Sequence, residues 1–197
     1  MIQQKIVKWV HPLVIPLLLL TSCTQAKPDW LKKETNVFVS ERSFYGVGTL
    51  SGTKVKNKVL GQMTADNLAK AAVSNAFESY ALSLLNDYTT SLTADQRASL
   101  EAEGDLKLTF MTHVAMTLFE VVLQERWRDP DTGTYHALAR IKLKHFLREI
   151  ANAEDLSPEF QDFIKKNAEE AFDRLKALNE PKTEGPTGTE GKQSGRE

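Results

Sequence analysis

The chain has 197 residues, with 25 Lys plus Arg against 26 Asp plus Glu. That fits a single domain, and the near-neutral balance excludes the basic excess or stripe expected of a nucleic-acid binder. One cysteine among the 197 residues excludes an internal disulfide framework and any site needing several thiolates, and a single long apolar run excludes a multi-pass membrane protein.

That run lies at the N-terminus. Lys5 and Lys8 precede the apolar stretch from Trp9 to Leu20, which ends in four consecutive leucines. About a dozen apolar residues are too few to span a bilayer, which needs roughly 20, and Pro12 and Pro16 interrupt any helix there. Residues 1–22 therefore read as a secretory signal peptide that is removed. Leu20-Thr21-Ser22-Cys23 closes the run, and this pattern resembles the bacterial lipobox. In the lipobox the cysteine thiol takes a diacylglyceryl group through a thioether and becomes the new N-terminus. Cys23 is the expected lipid attachment site. Two or three acyl chains anchor stably where one holds only marginally. Thr24 rather than Asp follows Cys23, which favours the outer membrane over inner-membrane retention.

Residues 23–36 read as a lipidated tether, with Trp30 its first residue to dock. Val37 to Leu50 is rich in strand formers and is expected to be one strand, punctuated by Gly46 and Gly48. From about Thr64 to Tyr88, Leu68, Ala69, Ala72, Val73, Ala76, Phe77, Tyr80, Ala81, Leu84 and Leu85 recur at helical spacing. Thr93 caps a short helix ending near Gly104. Asp105 caps another through about Thr117, with Leu108, Met111, Ala115 and Leu118 on one side. Phe119 to Trp127 and Tyr135 to Leu143 read as two strands joined by the turn-forming Asp129-Pro130-Asp131-Thr132-Gly133. Ser157 and Pro158 open a last helix carrying Phe160, Phe163, Ile164, Ala168, Ala171, Phe172, Leu175 and Leu178. From Glu180 the chain has no large apolar residue, so residues 180–197 read as a disordered polar tail. The expected fold is α+β: one domain over residues 37–179, with a small, largely antiparallel sheet of one N-terminal strand plus a hairpin, packed by helices.

Catalytic signals are sparse. His113, His136 and His145 show no metal-ligand spacing and read as surface or interface imidazoles. No cofactor and no metal is expected. Gly46-Val47-Gly48-Thr49-Leu50-Ser51-Gly52 misses the phosphate-loop patterns and reads instead as a strand whose small residues let a helix pack tightly. Glu101 and Glu103 fall on a solvated helix, and Asp129 and Asp131 suit a turn, where Asp bonds its own backbone.

The hairpin is more informative. Trp127 and Tyr135 flank its turn and are expected to pair across the strands. Arg126, Arg128 and Arg140 lie beside them. Trp, Tyr and Arg dominate binding hot spots, so these five residues form a candidate partner-binding surface, with the Phe-rich face of the last helix as the fallback.

The lipobox at Cys23, the Tyr45-Gly46-Val47-Gly48 strand before a helix with Ala69, Ala71, Ala72 and Ala76, and the segment from Glu125 to Arg140 coincide. Together they make the chain, over roughly Phe44 to Leu143, resemble the LPP-twenty-like lipoproteins of bacterial envelopes, which are similar to flagellar-assembly lipoproteins. The resemblance implies a non-enzymatic protein and carries over no catalytic residue. The expected function is a lipid-anchored scaffold or adaptor that binds another envelope protein, in connection with surface or motility structures. The alternative is an accessory factor or cryptic enzyme of cell-wall metabolism.

Overall fold

A computed structural model describes residues 26–33, 35–54, 56–103 and 105–179. The signal segment, Cys23 and the polar tail from residue 180 lie outside the described residues. Among the described residues, a 3₁₀ turn at Asp29–Lys32 is followed by strands β1 (Val37–Ser40) and β2 (Ser43–Leu50) and helix α1 (Lys58–Ser91). Then come α2 (Ala94–Glu103), α3 (Leu106–Leu118), β3 (Val122–Arg128), β4 (Tyr135–Lys142), α4 (Leu143–Ala151) and α5 (Pro158–Asn179). The strands form one antiparallel sheet in the order β1-β2-β4-β3. The α+β class expected from the sequence is the class observed.

The N-terminal strand is two strands rather than one. The chain reverses at Glu41 and Arg42, whose φ values are +49° and +53°. Positive φ at both centres is the type I′ hairpin pattern, a conformation that Asn and Gly adopt far more readily. Tertiary contacts hold it instead. The Arg42 guanidinium reaches Glu169 at 2.8 Å and Asp173 at 3.1 Å on α5 and lies over the Phe172 ring.

β2 and α1 pack backbone to backbone. A Cβ on Gly48 would stand 2.0 Å from the Ala65 carbonyl oxygen, and one on Gly46 would stand 2.4 Å from that of Ala69. The bare strand therefore seats the Ala65–Ala69–Val73 face of α1, as the small residues suggested. The interior beyond it is aromatic: Phe44 meets Phe77 and Phe172 edge-on, and Phe146 joins Phe77 and Phe110.

The helices differ from expectation in three ways. α1 begins at Lys58, where the Asn57 side chain caps the amides of Val59 and Leu60, six residues before the expected start at about Thr64. α4 follows β4 directly and buries Leu143, Phe146 and Ile150; the sequence reading passed over it. α3 buries Phe110, His113, Val114 and Thr117, while Leu108 of the expected stripe is 65% exposed. In α5, Phe160 and Phe172 are fully buried and Phe163 packs against the core. The fallback binding face is thus interior.

Candidate functional site

The period of two along β3 and β4 sorts the hairpin residues onto opposite faces. Trp127 pairs with His136, and Arg128 with Tyr135. Tyr135 points to the helices and belongs to the main core, whereas Trp127 points away and belongs to a second cluster on the outer face. The expected Trp127–Tyr135 cross-strand pair does not form. Trp127 tilts against the His136 ring at 5.4 Å instead.

The arginines divide the same way. Arg126 faces α1 and grips Asp66 in a two-pronged ion pair, Nε to Oδ1 at 3.0 Å and Nη2 to Oδ2 at 2.9 Å, the geometry that suits guanidinium to carboxylate. Gln62 donates to the same carboxylate. Burial pushes the Asp66 carboxyl up, but the Arg126 and Gln62 hydrogen bonds outweigh it and hold it below the usual range. Arg140 is half-buried on the outer face between Tyr45 and Val122. Arg128 is exposed and rides over the Tyr135 ring at 5.2 Å. Of the five candidates, Trp127 and Tyr135 are buried, Arg126 is committed to Asp66, and Arg128 offers the freest side chain. In the turn, Asp129 accepts from the amides of Asp131 and Thr132, the backbone role expected for it.

The outer face is closed by the tether. Trp30 is buried among Phe38, Val47, Trp127 and Leu138, and its indole Nε1 donates to Glu125 Oε2 at 2.8 Å. Lys33 lies over the Phe38 ring at 4.3 Å. Trp30 and Lys33 of the expected tether are thus docked on the sheet.

A second polar centre went unread in the sequence. His113, expected at the surface, is buried; its Nδ1 meets Glu149 Oε1 at 2.9 Å and its Nε2 meets Asp155 Oδ1 at 2.7 Å. Both ring nitrogens face carboxylates, so both donate only when the imidazole is charged. Burial opposes that charge, but the hydrogen bonds that His113 donates to Glu149 and Asp155 outweigh it and raise the His113 pKa. The bond to His113 in turn holds the Asp155 carboxyl low. The triad ties α3, α4 and the α4–α5 connection together. With both nitrogens bonded, it has no free position from which to take a proton from a substrate. The signal was present: His113 sits three residues after Phe110 and four before Thr117, on the helix's interior face.

The buried polar residues Ser43, Asp66, His113 and Thr117 each bond to the fold itself. Clefts flank α2 and α3. One of about 410 Å³ is walled by Leu82, Leu85, Leu100 and Leu106. Another, of about 600 Å³, is walled in part by Asp95, Asp105, Asp155 and Glu159; there Asp105 caps α3 and Asp155 holds His113. Among the described residues no group of three or more His, Cys, Asp or Glu is arranged to hold a metal ion, and no helix is long and apolar enough to cross a membrane. Comparison with models of known families, with curated proteins and with solved structures gave no match.

Proposed function

We propose that the chain is a bacterial envelope lipoprotein, held to its membrane through lipid on Cys23 and acting as a non-enzymatic scaffold or adaptor for another envelope protein. The observation that carries this reading is Leu20-Thr21-Ser22-Cys23 at the end of the apolar run, with the chain's sole cysteine at the lipidation position. The use of polar groups supports it: Asp66, Arg126, His113, Glu149 and Asp155 are spent on joining elements. The resemblance to LPP-twenty-like lipoproteins rests on the Tyr45–Gly48 strand and the Glu125–Arg140 hairpin. It points the same way, toward surface or motility structures.

The partner surface is open to direct test. Arg128 at the turn of the β3–β4 hairpin and Phe119 before β3 are exposed, Phe119 at 89%, and they stand at opposite ends of β3. A photo-crosslinking side chain at each position, activated in intact cells, should give a discrete protein adduct from one of them. Adducts from neither position would refute the adaptor reading.

A further inference from the structure

We propose that the end of the domain carrying the β3–β4 turn rests on the membrane that holds the anchor, with Val59, Leu60 and Met63 of α1 seated among the lipid headgroups. The inference rests on lipidation of Cys23 and goes beyond it by orienting the domain.

The tether supplies the direction. It crosses the outer face from the turn end toward β1. Lys27 lies near enough to His136 for its charge to disfavour protonation there, adding to the larger effect of burial. Trp30 is fixed at Glu125, and Lys33 sits over Phe38. His136 is one residue from the start of β4, whereas Phe38 pairs with Tyr45 and Tyr45 with Arg140, toward the other end of the strands. The lipid end of the tether therefore leaves the domain beside the β3–β4 turn. Three residues lie between Cys23 and Lys27, so the four Cα–Cα steps reach at most about 14 Å. The bilayer surface cannot lie far from that end.

α1 starts at the same end, on the other face of the sheet. Gly61 packs against the Tyr135 ring, and Gly52 against the Gly133 carbonyl, so the first turn of α1 stands at the rim. Its apolar side chains are uncovered: Val59 is 68% exposed, Leu60 55% and Met63 54%. Val59 and Leu60 lie four and three positions before Met63, so both neighbour it on the helix surface. Lys56 and Lys58 flank the start of the helix and Arg128 stands at the adjoining β3–β4 turn, all exposed, offset in part by Asp129 and Asp131 of the turn. A small apolar turn flanked by cations suits the interface of a bilayer with anionic headgroups. The bilayer is already there. With the turn end at the membrane, Phe119 at the far end of β3 is the position left open to a protein partner.

The test uses the full-length lipidated protein, floated with vesicles of phosphatidylethanolamine and phosphatidylglycerol. A spin label is placed at Met63→Cys, at Leu60→Cys as a second variant, and at Phe119→Cys at the far end; the Cys23 sulfur is consumed by the lipid. Collision with oxygen and with a water-soluble nickel chelate reports depth. The expected result is several-fold lower nickel accessibility and higher oxygen accessibility at positions 60 and 63 than at 119. Equal nickel accessibility in protein that floats with the vesicles overturns the orientation and leaves the anchor standing. A label at 63 that becomes immobile without gaining oxygen accessibility also overturns it, because protein then covers the patch. Failure to float overturns both anchor and orientation.

Discussion

Trp30→Ala tests the clip between tether and sheet. Trp30 is 8% exposed and closes a cluster of five buried residues with Phe38, Val47, Trp127 and Leu138. Removing a buried Trp from a closed core costs about 3–5 kcal/mol. Here the cluster is small and its lid is a terminal segment that can lift away, so the cost belongs at the lower end, about 3 kcal/mol. For a domain of this size that lowers Tm by about 6–12 °C. Trp30→Phe keeps an aromatic ring over the sheet and removes only the donor to Glu125. Glu125 is exposed, water replaces the bond, and the loss from that bond should stay near 1 kcal/mol. Urea and thermal unfolding followed by circular dichroism measure both variants, and limited proteolysis of the segment before β1 reports its release. If Trp30→Ala unfolds within about 0.5 kcal/mol of the parent and its tether is no more readily cut, the segment does not hold the outer face and the docking argument fails.

Other substitutions probe the remaining contacts. Gly48→Ala puts a methyl 2.0 Å from the Ala65 oxygen and 2.4 Å from the Ala69 nitrogen, so α1 must shift. A loss at or above the upper end of the usual overpacking range of about 1–3 kcal/mol is expected, and a denaturant titration showing no loss would contradict this helix–strand register. His113→Gln should show a pH-dependent penalty. The raised pKa of His113 means its stabilisation is fully present below the unfolded value of about 6.5 and fades as pH rises through the higher folded value. The stability gap between parent and variant should therefore be wider at pH 6 than at pH 9; a gap independent of pH would dismiss the charged triad. Arg128→Ala should leave stability within about 0.5 kcal/mol, and a larger fall in urea midpoint would show that its contact with Tyr135 is structural.

Much of the fold was legible because it follows from periodicity. The stripe expected from Leu68 to Leu85 appears apart from the exposed Leu68, and the Asp129–Gly133 turn and the Pro158 start appear where local chemistry put them. The Glu41–Arg42 reversal did not, because its residues are poor turn formers held by Glu169 and Asp173 from 127 or more positions away. α4 was hidden because Leu143 continues the strand pattern without a break. The hairpin's chemistry was misjudged by one residue of register. A gap of eight positions put Trp127 and Tyr135 on facing strands, but the register offsets them and sends them to opposite faces. His113 was missed for a related reason: Glu149 and Asp155 are 36 and 42 residues away, and only the packing of α4 brings them to it. Trp30 was anticipated as a docking residue, since a lone Trp in a polar segment has little other use.

The central claim is the lipid on Cys23, and its most direct test is mass spectrometry of the mature protein combined with metabolic labelling by a fatty-acid analogue. The account predicts a chain that begins at residue 23, carries a diacylglyceryl-modified cysteine and incorporates the label. Cys23→Ser should carry no label and should remain at precursor length. Label retained by Cys23→Ser, or a mature protein that begins at any other residue with an unmodified thiol at 23, would contradict it.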